Sequence, residues 1–94
     1  MIRVHVPCMV QEADLPRALA VYEELVAATR REPGCLSYEL LQREDHPTSL
    51  LLTEEWESRD HLRAHTQTEH FIRLVAELES LEVAEPAVFF RRLL

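Results

Sequence analysis

The apolar residues of this chain change their period twice within the first 56 positions, and that succession leaves few folds open to it. Ile2, Val4, Val6, Cys8 and Val10 alternate with Arg3, His5, Pro7 and Met9, which predicts a strand buried on one face. From Asp14 the period lengthens: Leu15, Leu19, Tyr22, Val26 and Thr29 recur at spacings of three and four, the stripe of an amphipathic helix. Asp14 is placed to cap that helix, Pro16 falls in its first turn where a missing N–H costs nothing, and Pro33-Gly34 ends it. Period two then returns. Leu36, Tyr38 and Leu40 alternate with Ser37 and Glu39, Glu44-Asp45-His46-Pro47 makes a polar turn, and Ser49 to Trp56 forms the next strand. Leu50, Leu51 and Leu52 are apolar at both parities, so that strand is expected to be covered on both faces.

Beyond Trp56, Ser58 opens a short helix carrying Leu62 and His65, and Thr68 can cap another with Phe71, Leu74, Val75 and Leu78 at i, i+3, i+4 and i+7. Together they read as one broken crossover. Val83 to Leu94, with Pro86 near its start, reads as a closing strand. The order is β-α-β-β-α-β, a single α+β domain over residues 1–94 with the ferredoxin-like split βαβ arrangement. Helices cover one face of such a sheet. The other face, apolar here at Leu51 and around Val88 to Phe90, predicts a homodimer packed sheet to sheet.

Composition removes several functions. No stretch approaches the ~18 apolar residues of a membrane span, and the N-terminus has no signal-peptide pattern, so a cytoplasmic protein without membrane contact is expected. A net charge of −7 with no basic cluster argues against a nucleic-acid surface. All ten bases are arginine; without lysine there is no Schiff-base chemistry, and with Gly34 as the only glycine there is no phosphate cradle or dinucleotide fingerprint. Cys8 and Cys35 fit no disulfide or zinc framework and read as reduced packing residues.

Chemistry-bearing side chains concentrate between residues 54 and 71. His65, three residues after Leu62, leans toward the apolar side of its helix, where it is either a general base near neutral pH or a structural histidine tying down the crossover. His70 lies in the first turn of the next helix, whose positive end favours a neutral imidazole. His61 and His65, four apart, share a face as zinc ligands often do, but Leu62 stands where a catalytic glutamate would follow and no third ligand is spaced to join them, so no metal is expected. Trp56 shares parity with Leu50 and Leu52 and is either core or an aromatic platform. Tyr38 needs a partner for its hydroxyl if buried, with Glu54 or a ligand oxygen as candidates; Glu39, Glu54 and Glu55 otherwise read as solvated or arginine-paired. His5 and His46 read as solvated or interface residues.

Three runs, Glu32-Pro33-Gly34-Cys35-Leu36-Ser37-Tyr38-Glu39, Leu52-Thr53-Glu54-Glu55-Trp56-Glu57 and Ala64-His65-Thr66-Gln67-Thr68-Glu69-His70-Phe71, resemble the antibiotic biosynthesis monooxygenase (ABM) family. The resemblance extends from the first strand to the last. It implies a dimeric α+β barrel and, as in the family's characterised oxygenases, oxidation of a small hydroquinone or polyphenol by O2 without flavin, metal or haem. On that likeness His65 or His70 would be the base, and Tyr38, Trp56 and Phe71 would line a slot for a flat aromatic substrate. The haem-degrading branch uses an Asn, Trp and His set, whereas this chain has no Asn and carries His65 and Val75 at the other two positions, so haem degradation is not expected. The polyketide-oxidising branch also uses an Asn. The Ala64-His65…His70-Phe71 segment is more similar to small quinol-oxidising members and to an isomerase of a phosphorylated hydroxyketone. Three functions remain open: a cofactor-independent monooxygenase, an isomerase or other proton-shuttling enzyme, and a non-catalytic dimer that binds aromatic ligands.

Overall fold

A computed structural model describes all residues, 1–94. Its elements are β1 (Ile2–Val10), a 3-10 turn (Glu12–Asp14), α1 (Leu15–Thr29), β2 (Cys35–Arg43), β3 (His46–Trp56), α2 (Arg59–His65), α3 (Glu69–Glu79), β4 (Glu82–Ala84) and β5 (Val88–Phe90). The antiparallel sheet runs β2-β3-β1, with β4 and β5 following one another along the outer edge of β1. This is the expected ferredoxin-like arrangement, with α1 and α3 packed together over one face. No helix is long and apolar enough to cross a membrane.

The period of each segment places its core residues, with one rotation. α1 buries Ala18, Val21, Tyr22, Leu25 and Thr29, whereas Leu19 is 43% exposed and Val26 only half-buried. The expected and observed stripes share Tyr22 and Thr29; what selects the second is Ala18, fully buried, whose small side chain lets the helix approach the sheet closely. Asp14 does not cap α1 through its side chain. It lies in the helical region at the end of the 3-10 turn, not in the extended conformation a capping residue needs. Ser58 and Thr68 do cap, accepting from the backbone N–H of His61 and Phe71, and they fix the break between α2 and α3.

Gly34 is required twice over. Its φ of +79° suits glycine, and a Cβ there would lie 2.2 Å from the His61 ring, so the loop between α1 and β2 packs directly under α2. Glu57 N–H donates to the Gly34 carbonyl at 2.9 Å and ties that loop to the end of β3.

Two extra residues defeat simple alternation. Cys35 pairs with Trp56 and Ser37 with Glu55, so Leu36 is a bulge residue, turned out and 51% exposed while Tyr38 is buried. The expected closing strand is split. Cys8 faces Ala84 and His5 faces Val88, so three steps on β1 meet four on its partner, and the surplus falls around Pro86, which has no N–H for the ladder. Phe89 therefore joins Val4 on the helix-covered face, and Val88 and Phe90 join His5 and Arg3 on the open one. Residues 91–94 lie beyond the sheet. The turn between β2 and β3 is shorter than expected, Glu44-Asp45 alone. Leu50 and Leu52 are buried under the helices, but Leu51, on the open face, is only half-buried.

Candidate functional site

Between the sheet and the crossover lies a cavity of about 240 Å3, walled mainly by aliphatic and aromatic side chains from β1, β3, α1, α2, α3 and β5. Six polar residues interrupt the apolar wall: Tyr22, Tyr38, Glu54, His65, Thr66 and Glu82. No arginine lines it.

His65 ends α2 and is 1% exposed. Its ring is enclosed by Trp56 at 4.8 Å, Phe71 at 4.8 Å and Tyr38 at 5.3 Å between centroids, the latter two edge-on. Nδ1 lies 2.8 Å from Glu32 Oε2, and Nε2 has no partner. Nδ1 is turned toward Glu32, and Nε2, the other ring nitrogen, is buried without a hydrogen-bond partner in a residue that lines the cavity. Burial lowers the pKa of His65 below the usual imidazole value, and the hydrogen bond and charge of Glu32 partly offset that fall. Burial thus favours the neutral form of the ring.

His70, in the first turn of α3, does not line the cavity; its Nε2 lies 2.7 Å from the same Glu32 Oε2. Glu32, from the loop that Gly34 anchors, is consequently shared by both histidines. These three side chains offer ligand-type atoms within 4.8 Å of one another. The separations of 2.7 and 2.8 Å are those of two hydrogen bonds to one oxygen, shorter than the roughly 3.3 Å between ligands around a tetrahedral zinc with bonds near 2.0–2.1 Å. The arrangement therefore fits a carboxylate accepting from two imidazoles better than a metal centre. His61 stays outside it, with Nδ1 2.8 Å from Ser58 Oγ.

Tyr38 and Phe71 line the cavity, and Trp56 does not. The indole is fully buried behind His65 and donates from Nε1 to Glu54 Oε1 at 2.9 Å. Glu54 is neither solvated nor paired with arginine, unlike Glu55, which meets Arg3 and Arg92. Burial pushes the Glu54 carboxyl up to about 7, with the charge of Glu32 adding to the effect and the Trp56 hydrogen bond opposing it. The Tyr38 hydroxyl, for which Glu54 was a candidate, makes no well-formed hydrogen bond and has the buried Thr29 hydroxyl near it; burial followed by the nearby Glu54 charge raises its pKa, and Thr29 opposes the rise.

A second polar cluster borders the cavity near β4. Tyr22 Oη donates to Glu82, 2.7 Å from Oε1 and 3.0 Å from Oε2, and Cys8 Sγ stands 3.6 Å from the same hydroxyl. Burial raises all three, the Cys8 thiol to about 11.

Sequence reasoning singled out His65, His70, Tyr38, Trp56 and Phe71 but not Glu32, Tyr22 or Glu82 as site residues. Glu32 was visible only as the first residue of the Glu32-Pro33-Gly34 run. The buried tyrosine hydroxyl of α1, which must find a partner, was the available signal for Glu82.

The chain is similar to several known proteins in sequence and in structure. An isomerase of (4S)-4-hydroxy-5-phosphonooxypentane-2,3-dione from Yersinia enterocolitica is 32% identical over 72 residues, 77% of this chain and 75% of its own. The uncharacterized protein sll1783 of Synechocystis is 35% identical over 69 residues, 73% of this chain, and the aligned part spans only 46% of that protein. A crystal structure of an antibiotic biosynthesis monooxygenase superposes with a TM-score of 0.92 at 32% identity, covering 99% of both chains. The model of the antibiotic biosynthesis monooxygenase (ABM) family matches residues 1–77, and the chain belongs to that family.

Proposed function

We propose that this chain is a cofactor-independent monooxygenase that oxidises a small hydroquinone or other electron-rich phenol with O2. The observation that carries this reading is the unpartnered Nε2 of His65, a buried histidine among the residues that line a mainly apolar cavity. A phenol O–H placed against that nitrogen gives up its proton, and the phenolate then passes an electron to O2. Recombination of the radical pair forms a C–O bond at a ring carbon, and the peroxide takes the proton back from His65. Loss of that ring carbon's hydrogen with the distal OH, as water, leaves a quinone: one phenol and one O2 give one quinone and one water. The substrate supplies every electron, and the protein supplies a base, orientation and exclusion of bulk water. Glu54, with its carboxyl pushed up to about 7, lines the same wall and can relay the ring carbon's proton, giving one to the departing OH and recovering one from the ring C–H.

Volume and polarity support a single substituted ring. An apolar cavity of roughly 150 Å3 holds benzene, so about 240 Å3 suits a ring bearing several substituents, with Tyr38 and Phe71 beside it. The isomerase reading is supported by the relative from Yersinia and needs the same base without O2. Against it, a phosphate on the substrate would meet Glu54 and Glu82 and no cation on the wall. Arg59 and Arg91 line a separate cleft that shares only Phe89 with the cavity.

Oxygen uptake above the autoxidation blank, measured with a panel of hydroquinones, tests the proposal. His65→Ala is expected to lower it by about 10²–10⁴-fold. Solvent deuterium appearing in an anaerobic substrate would favour the isomerase instead, and thermal stabilisation by aromatic ligands without turnover would favour a binding protein.

The working form we propose is a homodimer. Met9, Leu41, Val83, Val88 and Phe90 are all more than 40% exposed on the helix-free face, and fully burying such side chains contributes roughly 1.5–3 kcal/mol each. Sedimentation at micromolar concentration should give about twice the 11.0 kDa chain mass, and a monomer would contradict the covered face.

A further inference from the structure

We propose that Glu32 is the positioning residue of this site: its Oε2 keeps the proton of His65 on Nδ1 and so leaves Nε2 as the bare nitrogen of this cavity-lining ring, while His70 holds the same oxygen from the solvent side. The inference rests on the reading of His65 as the base and names what makes that base competent. A neutral imidazole in water prefers to carry its proton on Nε2, and that tautomer would offer the cavity a donor instead of a lone pair. A carboxylate only accepts, so the nitrogen facing it must donate. A hydrogen bond to a charged acceptor is stronger than one between neutral groups and reverses the small intrinsic preference.

The geometry gives Glu32 little freedom to do anything else. Its N–H donates to the Thr29 carbonyl at 2.9 Å and its carbonyl accepts from Cys35 N–H at 3.2 Å, so the backbone is fixed just before the Gly34 turn. The carboxylate side chain is 10% exposed, and its Oε2 lies 2.8 Å from a ring nitrogen on α2 and 2.7 Å from one on α3. The second donor has a purpose of its own. By accepting from His70 as well, Oε2 becomes a weaker base and does not draw the Nδ1 proton off His65. When Nε2 takes the phenol proton, the imidazolium keeps its Nδ1–H on Glu32 and is stabilised there, and the same proton returns from Nε2 to the peroxide. The ionisable groups facing His65 are Glu32 from the loop, His70 from α3, Tyr38 from β2 and Glu54 from β3.

This assigns different parts to the two histidines. His65 is the group that meets substrate. His70, 22% exposed and off the cavity wall, acts only through Glu32.

Nitrogen-15 spectra of histidine-labelled protein read the tautomer without any substrate. In the wild type, His65 should show a protonated Nδ1 and a pyridine-type Nε2 at pH 7.5, and Glu32→Ala should move the proton to Nε2. Glu32→Gln keeps the size of the side chain should the alanine variant fold poorly, and Glu32→Asp should restore part of the wild-type pattern. If oxygen uptake is found, Glu32→Gln should lower kcat by about 10²–10⁴-fold with KM changed little, as when the orienting carboxylate of a catalytic triad loses its charge. His70→Ala should have a smaller effect on kcat. A wild-type His65 protonated on Nε2, or a tautomer unchanged in both Glu32→Ala and Glu32→Gln, overturns the inference. So does stoichiometric zinc or ferrous ion that Glu32→Gln releases, because a metal would occupy the Nδ1 lone pair. Failure to find any oxidisable phenol alongside the expected tautomer would instead count against the monooxygenase reading alone.

Discussion

The cavity has two polar ends, and they are built on opposite plans. At the end near α2, His65 leaves Nε2 unpartnered, and the Tyr38 hydroxyl has only the Thr29 hydroxyl near it. At the end near β4, the Tyr22 hydroxyl is engaged by both oxygens of Glu82 and approached by Cys8. Both clusters are buried, and burial shifts the titration of both, so a perturbed pKa alone does not separate a reactive group from a structural one. The distinction lies in the unfilled hydrogen-bond valence. A buried polar atom without a partner costs about 1–3 kcal/mol, and a fold that retains one at a cavity wall leaves it free for a ligand.

Breaking each end in turn should have opposite consequences. The largest contrast is in turnover: His65→Ala is expected to remove it by orders of magnitude, whereas Tyr22→Phe should leave oxygen uptake within about threefold of wild type, read on the same hydroquinone panel. A smaller effect concerns pH and stability. The Glu54 carboxyl titrates at about 7 in the folded protein and near 4.5 when unfolded, so the folded state binds its proton more tightly and stability falls as pH rises from about 4.5 to 7. The shift sets an upper limit of about 3 kcal/mol. His65, with its pKa lowered on folding, has the opposite slope below about pH 6.5, and Glu82 has the same sign as Glu54. Denaturant midpoints of wild type and Glu54→Gln across pH 4.5–8 isolate the Glu54 contribution: the variant should lose less stability on going to pH 8, and parallel profiles would mean that Glu54 is ionised throughout. The smallest effect is at the closed end. Tyr22→Phe strands the Glu82 carboxyl and should lower stability by about 1–2 kcal/mol in thermal or denaturant unfolding at pH 7, which an activity loss of the same variant would blur.

The fold was legible because most segments carry the period of the structure they form, and the caps at Ser58 and Thr68 mark where the crossover breaks. Alternation failed at Leu36 and again around Pro86, for the same reason: one additional residue in a strand reverses the facing of everything on one side of it, and nothing in the composition of the segment announces that residue. The α1 stripe was ambiguous because the helix is apolar over more than one face, and only contact with the sheet selects Ala18 over Leu19. The inward lean of His65 was readable from its place three residues after Leu62. Glu32 was not, because its partners lie 33 and 38 residues away and one carboxylate among seventeen acids has no distinguishing local pattern. For Trp56, parity correctly indicated a buried side chain but not that His65 stands between it and the cavity.

The surplus residue around Pro86 gives two adjacent aromatics separate duties. Phe89 borders the cavity at its outer edge, and Phe90, one residue on, packs against His5 on the face proposed for association. Neighbours in sequence are therefore independent reporters: a spectroscopic label at Phe89 would test for ligand entry, and one at Phe90 for the proposed association of two chains.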